Sequence, residues 1–120
     1  MKLLIFAGLL VFAAAGAGAQ NAQNAEPGVA FYMGVGSWDC GRFIAALEGG
    51  TDVDRGQAAG WVLGFWSATT LYEDAAYNER LQGAGGRNIV DLTLQLCRDN
   101  PLGQVGALSN SLLQNSRTEN

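Results

Sequence analysis

Cys40 and Cys97 are the only cysteines in this 120-residue chain, and both lie downstream of a segment built like an export signal. Lys2 supplies a positive start, an apolar stretch runs from Leu3 to Ala15, and small residues follow at Ala17-Gly18-Ala19. That small-x-small pattern places cleavage after Ala19. The apolar stretch is shorter than the roughly 20 residues a membrane span needs. Residues 1–19 therefore read as a signal peptide, and the mature chain is expected in the periplasm or outside the cell. In an oxidising compartment two cysteines have one connectivity. A Cys40–Cys97 bridge closes a loop of nearly half the chain, worth about 4 kcal/mol when strain is ignored. The wide spacing and the lack of any C-x-x-C favour a structural bridge over a redox pair.

About 100 residues remain after cleavage, enough for one domain with a modest core. Lys2 is the only lysine, so the formal charge of −4 becomes −5 without the leader. A scattered acidic balance with no basic run argues against nucleic acid and anionic membranes as partners.

Periodicity predicts an all-α domain of four helices over residues 37–113. A polar, flexible arm over 20–36 precedes it and a polar tail over 114–120 follows. Ser37 is the expected cap of the first helix, with Cys40, Phe43, Ile44 and Leu47 at helical spacing. Asp52 or Asp54 is expected to cap the second, running from Arg55 to Tyr72. Ala58, Val62, Phe65, Thr69 and Tyr72 form one apolar stripe, and Trp61, Phe65, Ala68 and Tyr72 an overlapping one. Such a helix is central or buried at an interface. Gly56, Gly60 and Gly64 recur every four residues along it. Their face is expected to pack closely inside the bundle rather than span a membrane. Glu73 to Gly86 reads as a helix end and a flexible loop. The third helix covers Asn88 to Arg98. Asn100 and Pro101 are expected to open the fourth, with Leu102, Val105, Leu108 and Leu112 on its apolar face.

Catalytic machinery is thin. With no histidine, Ser-His-Asp and Cys-His systems, H-E-x-x-H motifs and histidine zinc sites have no residues to use. The close carboxylate pairs, Asp52/Asp54 and Glu73/Asp74, stand at helix ends where capping explains them. No catalytic, cofactor-binding or metal-ligating residue is assigned, and no enzymatic activity or cofactor is expected. Trp38, Trp61 and Trp66 read more simply as core than as a binding groove.

The layout around the cysteines resembles a known family. Cys40-Gly41-Arg42-Phe43-Ile44 is similar to the Cys-x-x-Phe-Leu/Ile opening of the HdeA/HdeB periplasmic acid-stress chaperones. Gly60-Trp61-Val62-Leu63-Gly64-Phe65 looks like the apolar central helix that follows, and Leu96-Cys97-Arg98-Asp99-Asn100-Pro101 resembles the closing segment. The match covers Trp38 to about Leu113. The resemblance implies a small four-helix HdeA-like bundle bridged at Cys40–Cys97 and a homodimer near neutral pH. It also implies loosening in acid, after which exposed apolar surface holds protein clients. Trp61, Phe65 and Trp66 are the candidate client surface. Periplasmic immunity proteins, which neutralise a single exported partner protein, share a similar outline and give the alternative function. With all carboxylates protonated the mature side chains move from −5 to about +6. Any pH response must come from carboxylates and so appear well below pH 6.

Overall fold

A computed structural model describes residues 31–118; the predicted signal peptide and most of the predicted arm lie outside the described residues. Within that range the chain is all-helical. A 3-10 turn over Gly34–Ser37 leads into five α-helices. These are α1 (Cys40–Gly49), α2 (Asp52–Thr69), α3 (Ala75–Ala84), α4 (Gly86–Asp99) and α5 (Val105–Thr118). The only β-type pairing among them is an isolated antiparallel bridge between Asp39 and Gln104.

Local chemistry starts these helices, though not always at the expected residue. Asp39, not Ser37, caps α1, its carboxylate accepting from the Arg42 amide at 2.8 Å. Thr51, which the sequence reading passed over, caps α2 in a reciprocal box: its hydroxyl accepts from the Asp54 amide while the Asp54 carboxylate accepts from the Thr51 amide. Side-chain caps of this kind are worth about 1 kcal/mol each. Helix α2 ends at Thr69, and Thr70 to Tyr72 continue as a turn whose amides donate to the carbonyls of residues 67–69.

The Glu73–Gly86 stretch is the largest departure. It is not a loop: Asp74 accepts from the Tyr77 amide at 2.7 Å and starts α3. The helix ends at Gly85, whose φ of +79° is cheap only for glycine. Helix α3 buries a single side chain, Tyr77, so its hydrophobic signal is faint.

The last helix also begins later than expected. Asn100 does not open it; it ends α4, its side-chain amide donating back to the Leu96 carbonyl at 2.9 Å. Residues 101–104 form a link instead. The Cys40 amide donates to the Gly103 carbonyl (2.9 Å) and the Val105 amide to the Trp38 carbonyl (3.0 Å). Those pairings outweigh the local Asn-Pro start signal. The buried face of α5 is Val105, Ser109 and Leu113, one i,i+4 row, while Leu102 is fully exposed. Helix α5 runs on to Thr118, so most of the predicted polar tail is its final turn.

Cys40 and Cys97 are bonded, with Cα atoms 5.0 Å apart, and both are inaccessible to solvent. The bridge ties the first residue of α1 to the last turns of α4. Around it the core assembles from Phe43, Ala58, Val62, Trp66, Val105 and Leu113. Thr93, fully buried, keeps its hydroxyl satisfied by donating to the Ile89 carbonyl. No helix among the described residues is long and apolar enough to cross a membrane.

Candidate functional site: an aromatic ladder and the clefts around Trp66

Three of the four rings in one continuous ladder come from α2, with Trp61 one turn before the adjacent pair Phe65 and Trp66. Tyr32 meets Trp61 edge-on (6.5 Å between ring centroids), Trp61 stacks on Phe65 (5.5 Å, 21° between planes), and Phe65 meets Trp66 edge-on (5.9 Å). Such pairs add about 0.5–1.5 kcal/mol each beyond area burial. Of the predicted client surface, the structure buries Trp66 and half-buries Trp61 and Phe65. Trp66 lay outside the apolar stripes read from the sequence. It falls on the buried side because Ala58, Val62, Trp66 and Thr69 form the row that meets the disulfide-linked helices.

A strap, residues 32–37, carries Tyr32 and packs on Trp61. A Cβ on Gly36 would stand 2.2 Å from the Trp61 ring, and one on Gly106 of α5 would stand 2.2 Å from the Tyr32 ring. Only glycine allows either contact. Val35 anchors the strap in the core at 6% exposure, and the strap's side-chain and cross-link hydrogen bonds are few: the Ser37 hydroxyl donates to the Gly34 carbonyl, and the Gln104 amide reaches the Ser37 carbonyl at 3.4 Å. Burial raises the Tyr32 hydroxyl above its usual pKa.

Beside the ladder, Tyr32, Phe65, Thr69, Tyr72, Leu113 and Arg117 line a cleft of about 300 Å³. Arg117 there pairs with Glu73, joining α5 to the turn after α2. The Glu73 side chain is only 13% exposed. A second cross-helix pair, Arg98 with Glu48, joins α4 to α1 at the surface.

Two further clefts flank Trp66 beneath α3. One, of about 470 Å³, lies between the last turns of α2, α3 and the start of α4; Leu63, Trp66, Asn78 and Ile89 are among its walls. The other, about 280 Å³, shares Trp66, Leu81 and Ile89 and continues toward Leu112 and Ser116 of α5. Helix α3 covers both, held by the Tyr77 hydroxyl against Ser116 Oγ (2.7 Å) and by Asn78 donating to the Thr70 carbonyl (3.1 Å).

The glycine row is placed otherwise than expected. Gly56, Gly60 and Gly64 face open space, with nothing within 4 Å of where a Cβ would stand. They are not a packing surface within the domain.

The four carboxylates singled out above serve the fold. Asp54 completes the α2 capping box, Asp74 caps α3, Asp52 pairs with Arg55 and Glu73 with Arg117. Hydrogen bonds from the Thr51 amide and hydroxyl hold the Asp54 carboxyl below the usual carboxylate pKa. Among the described residues no group of three or more His, Cys, Asp or Glu side chains is placed to hold a metal ion.

No family model, curated protein or solved structure shows significant similarity to this chain.

Proposed function

We propose that this is an exported, non-enzymatic helical protein that works as an HdeA-like, acid-responsive chaperone in the periplasm, resting near neutral pH as a homodimer. The observation that carries the reading is the aromatic ladder Tyr32–Trp61–Phe65–Trp66, with the strap of residues 32–37 packed on Trp61 and the Glu73–Arg117 pair beside it. Acid protonates carboxylates, and the stabilisation Asp54 draws from its Thr51 hydrogen bonds is then lost. With the mature chain moving toward net positive charge, self-repulsion adds to that loss. The strap and the end of α5 are the parts whose release uncovers Trp61 and Phe65 as apolar surface for unfolding clients, and Trp66, on the row that meets α1 and α4, follows once α2 loosens from them. The Cys40–Cys97 bond keeps α1 and α4 joined throughout.

Aggregation of a model client at pH 2–3 and at pH 7 tests this. Protection confined to acid, together with loss of near-UV circular dichroism, is the expected result. A chain that keeps its near-UV signal and its oligomeric state at pH 2–3 and protects nothing sinks the reading.

A second reading, a binding or immunity protein that neutralises one exported partner, is favoured by side chains already exposed in the folded state. Leu71 and Tyr72 are adjacent in the turn after α2, 78% and 84% exposed. Capture of a folded partner at neutral pH, abolished by Tyr72→Ala, is its distinguishing result.

A further inference from the structure

Arg80 brings an unpaired cation to the wall of an apolar cleft. Arg55, Arg98 and Arg117 pair with Asp52, Glu48 and Glu73, and Arg42 lies over the Trp38 ring. Arg80, exposed on α3, makes no ion pair and no hydrogen bond among the described residues. Its guanidinium carbon stands 5.5 Å from the ring centroid of Tyr77. Both residues line the cleft of about 280 Å³ between α3, α4 and α5, in which Arg80 is the one charged wall residue and no carboxylate stands. The polar groups beside it are already spent. The Ser116 hydroxyl donates to the Leu113 carbonyl, so the Tyr77 hydroxyl is the donor to Ser116 Oγ. Trp66 Nε1 is sealed from solvent. That leaves the guanidinium as the accessible wall group with donors to offer. The other walls are apolar, among them Leu81, Ile89, Leu92 and Leu112. Leu92 is 52% exposed, so the cleft is open to solvent there as well as at Arg80.

We propose that this cleft binds a small carboxylic acid with an apolar body, taken up as its anion. The carboxylate accepts from the Arg80 guanidinium, whose planar fork matches it with two parallel N–H groups. The body lies along Leu81, Ile89, Leu92 and Leu112, where it exchanges water for apolar walls. A cavity of about 150 Å³ accepts benzene, so about 280 Å³ takes a molecule of roughly ten non-hydrogen atoms. A neutral head would leave the cation answered by solvent alone, and a cationic head would meet like charge. The chain's acidic balance repels anions at long range, so selection for one has to come from Arg80 itself. Neither acid nor a client protein is needed for this site, so it stands or falls separately from the chaperone reading.

Titration of the oxidised protein at pH 7 with octanoate, octanamide and butyrate tests this, read from the ¹H–¹³C methyl spectrum. Octanoate, kept below its micellar concentration, should shift the methyl signals of Leu81, Ile89, Leu92 and Leu112 saturably, while those of Val35 and Val53 stay in place. Octanamide, with the same body and no charge, should bind about ten-fold more weakly, the effect of one charge-assisted hydrogen bond. Butyrate, with the same head and less body, should also be weaker than octanoate by about ten-fold or more. Arg80→Gln should bring octanoate down to the affinity of octanamide and leave octanamide unchanged. Arg87→Gln, which removes the same charge from a residue outside the walls, should change neither. No saturable shift at the four cleft residues overturns the site, as does equal movement of Val35 and Val53. Equal binding of octanoate and octanamide, or an equal loss in Arg87→Gln, overturns the role of Arg80, and equal binding of butyrate overturns the seat of the apolar body. The comparison of ligands on the unmodified protein decides the head group even where Arg80→Gln does not fold.

Discussion

Arg117, in the final turn of α5, is paired with Glu73, in the turn that follows α2, across 44 residues of sequence. The Glu73 side chain is 13% exposed and Arg117 is held additionally by Gln114 Oε1. This pair therefore lies between a surface bridge, worth up to about 1 kcal/mol, and a buried one whose breaking costs about 3–5 kcal/mol. Glu73→Gln should lower the urea midpoint by an amount equivalent to about 1–2 kcal/mol. An unchanged urea midpoint in the variant would mean that the pair adds nothing to stability.

Asp54 gives an acid contribution whose sign follows from its surroundings. Hydrogen bonds from Thr51 lower its folded pKa below the usual 3.8. A depressed carboxylate contributes stability that is fully present above its unfolded value and is lost as pH falls through its folded value. The loss thus falls below about pH 4. Asp54→Asn removes this limb and leaves the neutral-pH fold in place. Thermal melts of both proteins from pH 2 to 5 should converge at the acid end.

How legible this fold was in the sequence depends on what each residue had to bury. The disulfide, α1 and α4 were readable because Cys40, Phe43 and Cys97 sit at helical spacing and are buried to zero exposure. Helix α3 was not, because its only buried side chain is Tyr77 and two glycines mark its end; capping by Asp74 forms it, not amphipathicity. The start of α5 was misplaced because the Asp39–Gln104 bridge holds residues 101–104 in a link that no local signal announces. Trp61 and Phe65 were legible as apolar. That Trp66 is the innermost of the three, with an unpaired indole, depends on how α2 rotates against α1 and α4.

Ser109 is fully buried on α5 and its hydroxyl has no partner in the fold. Ser109→Ala removes a polar group that gains nothing from burial and installs a better helix former. The variant should be more stable by about 1 kcal/mol. Urea unfolding at pH 7 reads this directly, and a loss of stability would mean that the hydroxyl has a partner.

The Cys40–Cys97 bond spans 57 residues. Replacing both cysteines by serine places two small polar groups in a fully buried site and frees the unfolded chain. A cost of about 2–5 kcal/mol is expected, much of it appearing also on simple reduction of the unmodified protein. Comparison of oxidised, reduced and doubly substituted chains by urea unfolding separates the cross-link from the packing of the sulfurs.

Gly60 sits in the interior of α2 with open space where a side chain would begin. Glycine at an exposed helix-interior position costs about 1 kcal/mol relative to alanine. If α2 keeps this face to solvent, Gly60→Ala should raise the melting temperature by roughly 4–8 °C, the response of a domain of this size to 1 kcal/mol. If instead a second copy covers the row Gly56–Gly60–Gly64, the added methyl meets the partner's backbone, and the variant loses both stability and its dimer. Calorimetry paired with sedimentation equilibrium distinguishes the two, because an exposed face predicts a higher melting temperature with the same mass. A Gly60→Leu chain sharpens the contrast: leucine is nearly as good a helix former as alanine, so it should keep most of the gain on a free face. On a covered face it should dissociate the dimer outright.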